Sequence, residues 1–85
     1  MTYGETLKDR RITMGMTLEA VAKKAGTFKG YISGIEHGKV NPPAWLLNTI
    51  LCRILKLDAD YMLKLAHAEK APKQVREWFI KQVVG

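Results

Sequence analysis

Lys29 stands in the first turn of a segment whose apolar residues, Ile32 and Ile35, recur at helical spacing. A cation there opposes the positive end of the helix dipole, so its placement makes sense with a phosphate or a guanine edge nearby. Two residues on, Tyr31 can give its hydroxyl to a phosphate while its ring packs on the protein, partial burial of the ring in the core being the simpler alternative. Chemistry of other kinds finds little footing. An enzyme needs a nucleophile–base pair, a metal constellation or a phosphate-cradling loop, and none stands out in the sequence; no catalytic residue, no metal site and no cofactor is expected. Cys52 has no second cysteine to pair with, and with His37 and His67 it falls short of a four-ligand zinc site. It is expected to be a small buried apolar side chain.

The balance of 14 basic against 8 acidic residues, a net charge of +6, favours a polyanionic partner, nucleic acid before anionic membrane. Residues 1–41 and 42–85 each carry seven basic and four acidic side chains. The excess is therefore no tail, and a basic surface has to be assembled by folding. Eighty-five residues suffice for one small domain, and 47% hydrophobic with 26% charged residues is ordinary globular usage, against disorder or a fibrous repeat. Apolar stretches fall short of the roughly 18 residues of a membrane span, and residues 1–11 lack a leader's apolar run, so a cytoplasmic location without membrane attachment is expected.

The elements that must position these groups read as helices throughout. Residues 3–14 place Leu7, Arg11 and Met14 on one face and stop at Gly15. Thr17 caps a second segment carrying Leu18, Val21, Ala22 and Ala25, which closes at Gly26. Thr27 is the next cap, opening a segment to His37 that Gly38 terminates. Pro42 and Pro43 force an extended step and then preset a fourth helix over 43–55, with Leu47, Leu51 and Leu55 inward. Asp58 caps a fifth helix to about residue 68, buried through Met62, Leu63 and Ala66. Beyond Pro72, residues 73–84 repeat Val75, Trp78, Phe79 and Val83 at amphipathic spacing.

Two short helices joined through Gly26 have the spacing of a helix-turn-helix, with Ala22 permitting close approach and Val21, Ile32 and Ile35 filling the wedge. Leu7, Arg11, Gly15, Met16, Thr17, Val21, Ala22, Gly26, then Tyr31, Ile32, Ser33, Ile35, Glu36 and Gly38, continued by Asn41-Pro42-Pro43, Leu47, Leu51, Leu55, Leu57, Asp58 and Leu63, resemble the phage-repressor and Cro-type (XRE) helix-turn-helix family over residues 3–68. The resemblance implies an all-α, compact five-helix lambda-repressor-like domain over residues 1–69; the amphipathic helix read from spacing falls beyond it, in 70–85. The resemblance also implies that helix three lies in the major groove of double-stranded DNA, in a homodimer on a two-fold operator. Lys39 and Asn41 fall in a loop that family members lay along the phosphate backbone. Thr17 and Leu18 open helix two, whose free amides can bind a phosphate although Leu18, often Gln in the family, cannot. Arg11 and Glu36 match positions that form a partly buried ion pair, in keeping with the place of Arg11 on the stripe with Leu7 and Met14 and of Glu36 on the inward edge beside Ile32 and Ile35.

The departures are informative. At about 100° per residue, the outward face of helix three collects Thr27, Gly30, Ser33, Gly34 and His37, and Gly30 and Gly34 stand where the family has base-reading side chains. Either the bare helix sits deep in the groove with Lys29, Tyr31 and His37 reading from its margins, or specificity rests on DNA shape, or the surface faces a protein. Phe28 replaces a polar cap, as core or as a thymine-methyl contact. Lys56 stands where a left-handed glycine is common, leaving the turn into helix five open. Trp78 and Phe79, with Val75 and Val83, can be buried on helix five or on a second subunit; the second is favoured because the five-helix core is complete by residue 68. The function expected is that of a DNA-binding transcriptional regulator, a dimeric repressor; the alternative is a protein–protein adaptor or antitoxin-like partner on the same scaffold.

Overall fold

The computed structural model describes residues 1–70, and among them five helices and no strand. They are α1 (Tyr3–Thr13), α2 (Leu18–Ala25), α3 (Lys29–Glu36), α4 (Trp45–Leu55) and α5 (Ala59–Lys70). The expected amphipathic helix in 70–85, with Val75, Trp78, Phe79 and Val83, lies outside the described residues.

Local chemistry accounts for most boundaries. At α1 the Thr2 hydroxyl accepts from the Glu5 amide while the Glu5 carboxylate accepts from the Thr2 amide, a reciprocal capping box. The same backbone bond, and then the hydroxyl, hold the Glu5 carboxyl below its ordinary pKa. Thr17 caps α2 through the Ala20 amide at 3.0 Å, and Asp58 caps α5 through the Tyr61 amide at 2.9 Å. Gly15, Gly26 and Gly38 all take positive φ, between 69° and 75°, where a Cβ would be strained.

Three boundaries differ from the sequence pattern. Phe28, not Thr27, is the N-cap of α3, in extended conformation and with no side-chain cap bond. The fourth helix starts at Trp45 rather than Pro43, after an extended Ala44, so the two prolines belong to the approach and not to the first turn. Lys56 itself adopts the left-handed conformation, φ 55°, that the family gives to glycine. Arg10 braces this turn from α1, donating to the Lys56 and Leu55 carbonyls at 3.1 and 3.5 Å. A lysine there forfeits roughly 1–2 kcal/mol, and glycine would return part of that against its greater unfolded-state entropy. Lys56→Gly is therefore expected to raise stability by about 0.5–1 kcal/mol in urea unfolding. An unchanged or lower midpoint would show that the lysine side chain offsets the strain.

The core joins all five helices. Tyr3, Leu7, Val21, Ala22, Ile32, Ile35, Leu51, Cys52, Leu55, Met62, Leu65 and Ala66 form one buried cluster. Three inward assignments shift: Met14, at the end of α1, is exposed, Leu47 is half-buried, and on α5 Leu65 rather than Leu63 enters the cluster. A polar joint runs through this core. The Tyr3 hydroxyl donates to Asn48 Oδ1 at 2.8 Å, the Cys52 thiol donates to the same oxygen at 3.5 Å, and Asn48 Nδ2 donates to the Ala59 carbonyl at 3.2 Å. One amide thus links α1, α4 and α5 and leaves no buried partner unsatisfied. Desolvation raises the Tyr3 phenol and pushes the Cys52 thiol up to about 11.

Candidate nucleic-acid interface

Helices α2 and α3 pack on each other across Val21, Ala22, Ile32 and Ile35, and α1 and α4 support them from behind. Between them Gly26 turns left-handed and the Thr27 amide returns to the Ala22 carbonyl at 2.9 Å, which ends α2 and redirects the chain. The orientation of α3 is held from its far end. Arg11 Nε donates to Glu36 Oε2 at 2.7 Å and Nη2 to Oε1 at 3.1 Å, while Nη1 donates to the Met16 carbonyl at 2.9 Å. The Glu36 side chain is only 1% exposed. One guanidinium therefore ties α1, the loop before α2 and the last turn of α3 together, and its bond to the carboxylate raises its pKa further.

This frame presents one side of α3. Phe28, Lys29, Gly30 and His37 are exposed, Ser33 and Gly34 half-buried, and the following loop exposes Lys39, Val40 and Asn41. Phe28 is 70% exposed, which removes it from the core. Helical spacing would have set it four residues before Ile32 on the inward face, but the extended N-cap backbone carries it out of that register. Its ring meets that of half-buried Tyr31, centroids 6.2 Å apart and tilted by 52°. His37 Nδ1 lies 2.8 Å from the Ser33 carbonyl and 3.4 Å from its hydroxyl, so the imidazole is turned back on the last turn of α3.

Neither glycine of α3 is demanded by the fold. A Cβ on Gly30 would meet only the Phe28 ring, at 3.9 Å, and one on Gly34 would make ordinary contact with the Val40 methyls at 3.4 Å. Thr17 lies exposed at the start of α2 with its hydroxyl accepting the Ala20 amide, Leu18 is half-buried, and Glu19 sets a carboxylate in the same first turn. Thr27 is half-buried in the turn. Sequence reasoning passed over Val40, Trp45 and Leu46, all exposed; a tryptophan directly after Pro-Pro-Ala, at the start of a helix, was the available signal.

A helix-turn-helix domain family model matches residues 2–65. The chain belongs to that family. It is the one that the Arg11, Gly26, Ile32 and Glu36 pattern indicated. This helix-turn-helix chain is also 34% identical over 73 residues to a protein named transcriptional regulator ClgR from two strains of Mycobacterium tuberculosis, CDC 1551 and H37Rv. The match covers 86% of this chain and 63% of the relative, so the helix-turn-helix chain spans under two thirds of the length of the curated proteins it resembles. No solved structure matches it. Among the described residues of the helix-turn-helix chain, no helix is long and apolar enough to cross a membrane, and no group of three or more His, Cys, Asp or Glu side chains is placed to hold a metal.

Proposed function

We propose that this chain is a sequence-specific DNA-binding transcriptional regulator that lays α3 in the major groove, and that it acts as a dimeric repressor in the cytoplasm. One observation carries the reading. The side of α3 turned away from the core presents Phe28, Lys29, Gly30 and His37 to solvent and leads into Lys39 and Asn41, with a net charge of +6 behind it. The name of the mycobacterial relative supports the regulatory part. Dimerisation rests on the amphipathic spacing of Val75, Trp78, Phe79 and Val83 in residues 70–85, which set two large aromatics in one short segment.

Selection of bound sites from a random duplex pool tests binding and symmetry together. Paired half-sites about 34 Å apart are expected; single, unpaired sites, or sedimentation of the full chain as a monomer, would sink the dimer. Lys29→Ala is expected to weaken binding to a selected site by about 1–3 kcal/mol without lowering the melting temperature. Unchanged affinity would remove Lys29 from the interface.

A second reading, a protein-binding adaptor or antitoxin-like partner, is favoured by Trp45 and Leu46, which stand 66% and 61% exposed at the start of α4. Salt-sensitive retention of duplex DNA supports the first reading, and no retention supports the second.

A further inference from the structure

We propose that Phe28 makes the interface a reader of 5-methylpyrimidines: it recognises the C5 methyl group of thymine, and accepts 5-methylcytosine in its place, by apolar contact alone. The inference rests on the reading of α3 as a major-groove helix. Three features of the first turn converge on it. Phe28 breaks two local preferences at once, standing at an N-cap without a cap bond and leaving its ring 70% exposed while Thr27, a good capping residue, lies adjacent. Among the described residues its ring meets that of half-buried Tyr31 and the residue still stays largely exposed, which points to a partner for the open face. Gly30 lies beside the ring, where a Cβ would stand 3.9 Å from Cδ2, so no side chain of that residue covers the flank of the aromatic, which forms an apolar step open to solvent.

The major-groove edge fixes what such a step can distinguish. Thymine presents an O4 acceptor and a C5 methyl group, and cytosine an N4 donor and a C5 hydrogen. Telling O4 from N4 takes a hydrogen-bonding group aimed at the pyrimidine edge. The side chains of Phe28 and Gly30 carry none, and Ser33 and His37 stand one to two turns further along, with His37 Nδ1 turned back on the Ser33 carbonyl. The methyl group is the remaining difference, and 5-methylcytosine carries the same methyl at the same ring position. Lys29, the next residue, has its own donor for a phosphate or a guanine and adds no methyl preference.

The experiment uses the full chain and a duplex selected from a random pool, with each thymine in turn replaced by deoxyuridine, deoxycytidine or 5-methyldeoxycytidine. At one position per half-site, removing the methyl by deoxyuridine is expected to weaken binding about fourfold, the worth of one buried methyl group. Cytosine there is expected to bind as weakly as uracil, and 5-methylcytosine as well as thymine. Phe28→Ala, whose exposed position leaves the core untouched, should melt with the parent and bind all four equally. Equal binding of thymine and uracil at every position by the parent protein would overturn the proposal and leave the DNA reading standing, as would a methyl preference that survives in Phe28→Ala. Failure to retain any duplex would overturn both.

Discussion

Glu36→Ala is expected to cost the fold about 3 kcal/mol, because it leaves the Arg11 guanidinium in a largely buried site with no counter-charge. The carboxylate accepts two of the guanidinium's bonds, at 2.7 and 3.1 Å, and the third goes to the Met16 carbonyl, which cannot neutralise a cation. Removing the partner of a buried charge costs far more than an exposed pair would, since surface ion pairs rarely exceed about 1 kcal/mol. Chemical denaturation decides the matter: a loss under about 0.5 kcal/mol would mean that water reaches the pair freely. Because the pair orients the last turn of α3, the same variant should lose affinity for a selected DNA site even under conditions where it remains folded.

A larger effect is expected from a change that looks harmless. Helix propensity alone favours Gly4→Ala by about 1 kcal/mol, since the position is helical. Packing opposes it. An alanine Cβ would lie 2.3 Å from the Ile35 carbonyl oxygen, 2.6 Å from that of Glu36 and 2.9 Å from the Glu36 carbonyl carbon. All three are backbone atoms and cannot swing aside, so α1 would have to lift off the end of α3. That movement would strain the Tyr3–Asn48 bond one residue away and the Arg11–Glu36 pair two turns on. We expect a net loss of about 3 kcal/mol or more, beyond the usual range for an extra methyl in a core. Thermal melting of Gly4→Ala beside the parent tests this, and a variant as stable as the parent would mean that the two helices do not cross so closely.

What the sequence made legible follows from the range of the forces involved. Gly15, Gly26 and Gly38 could be placed because a left-handed turn selects glycine locally. Thr17 and Asp58 could be placed because a cap bonds an amide three residues away. Arg11 and Glu36 stood out as charges on otherwise apolar stripes. The Tyr3–Asn48 bond spans 45 residues and the bond from the Tyr3 amide to the Glu69 carboxylate spans 66, and no local pattern announces either. Gly4 sat unremarked for the same reason: its constraint comes from the carbonyls of another helix. At the interface the spacing identified the exposed side of α3, but the choice between core and surface for Phe28 turned on one extended residue at the cap. Lys56 shows the converse, a strained turn retained without glycine because packing on either side, with Arg10 across it, determines the path.

Cys52 has a practical consequence. It is the sole thiol of the chain, 2% exposed, hydrogen-bonded to Asn48 and with its pKa pushed up to about 11. Near neutral pH its thiolate fraction is on the order of one in ten thousand, and the core shields even that from electrophiles. A cysteine introduced at exposed Lys39 or Thr13 would therefore take up a maleimide dye or spin label against a silent background, with the native cysteine left in place.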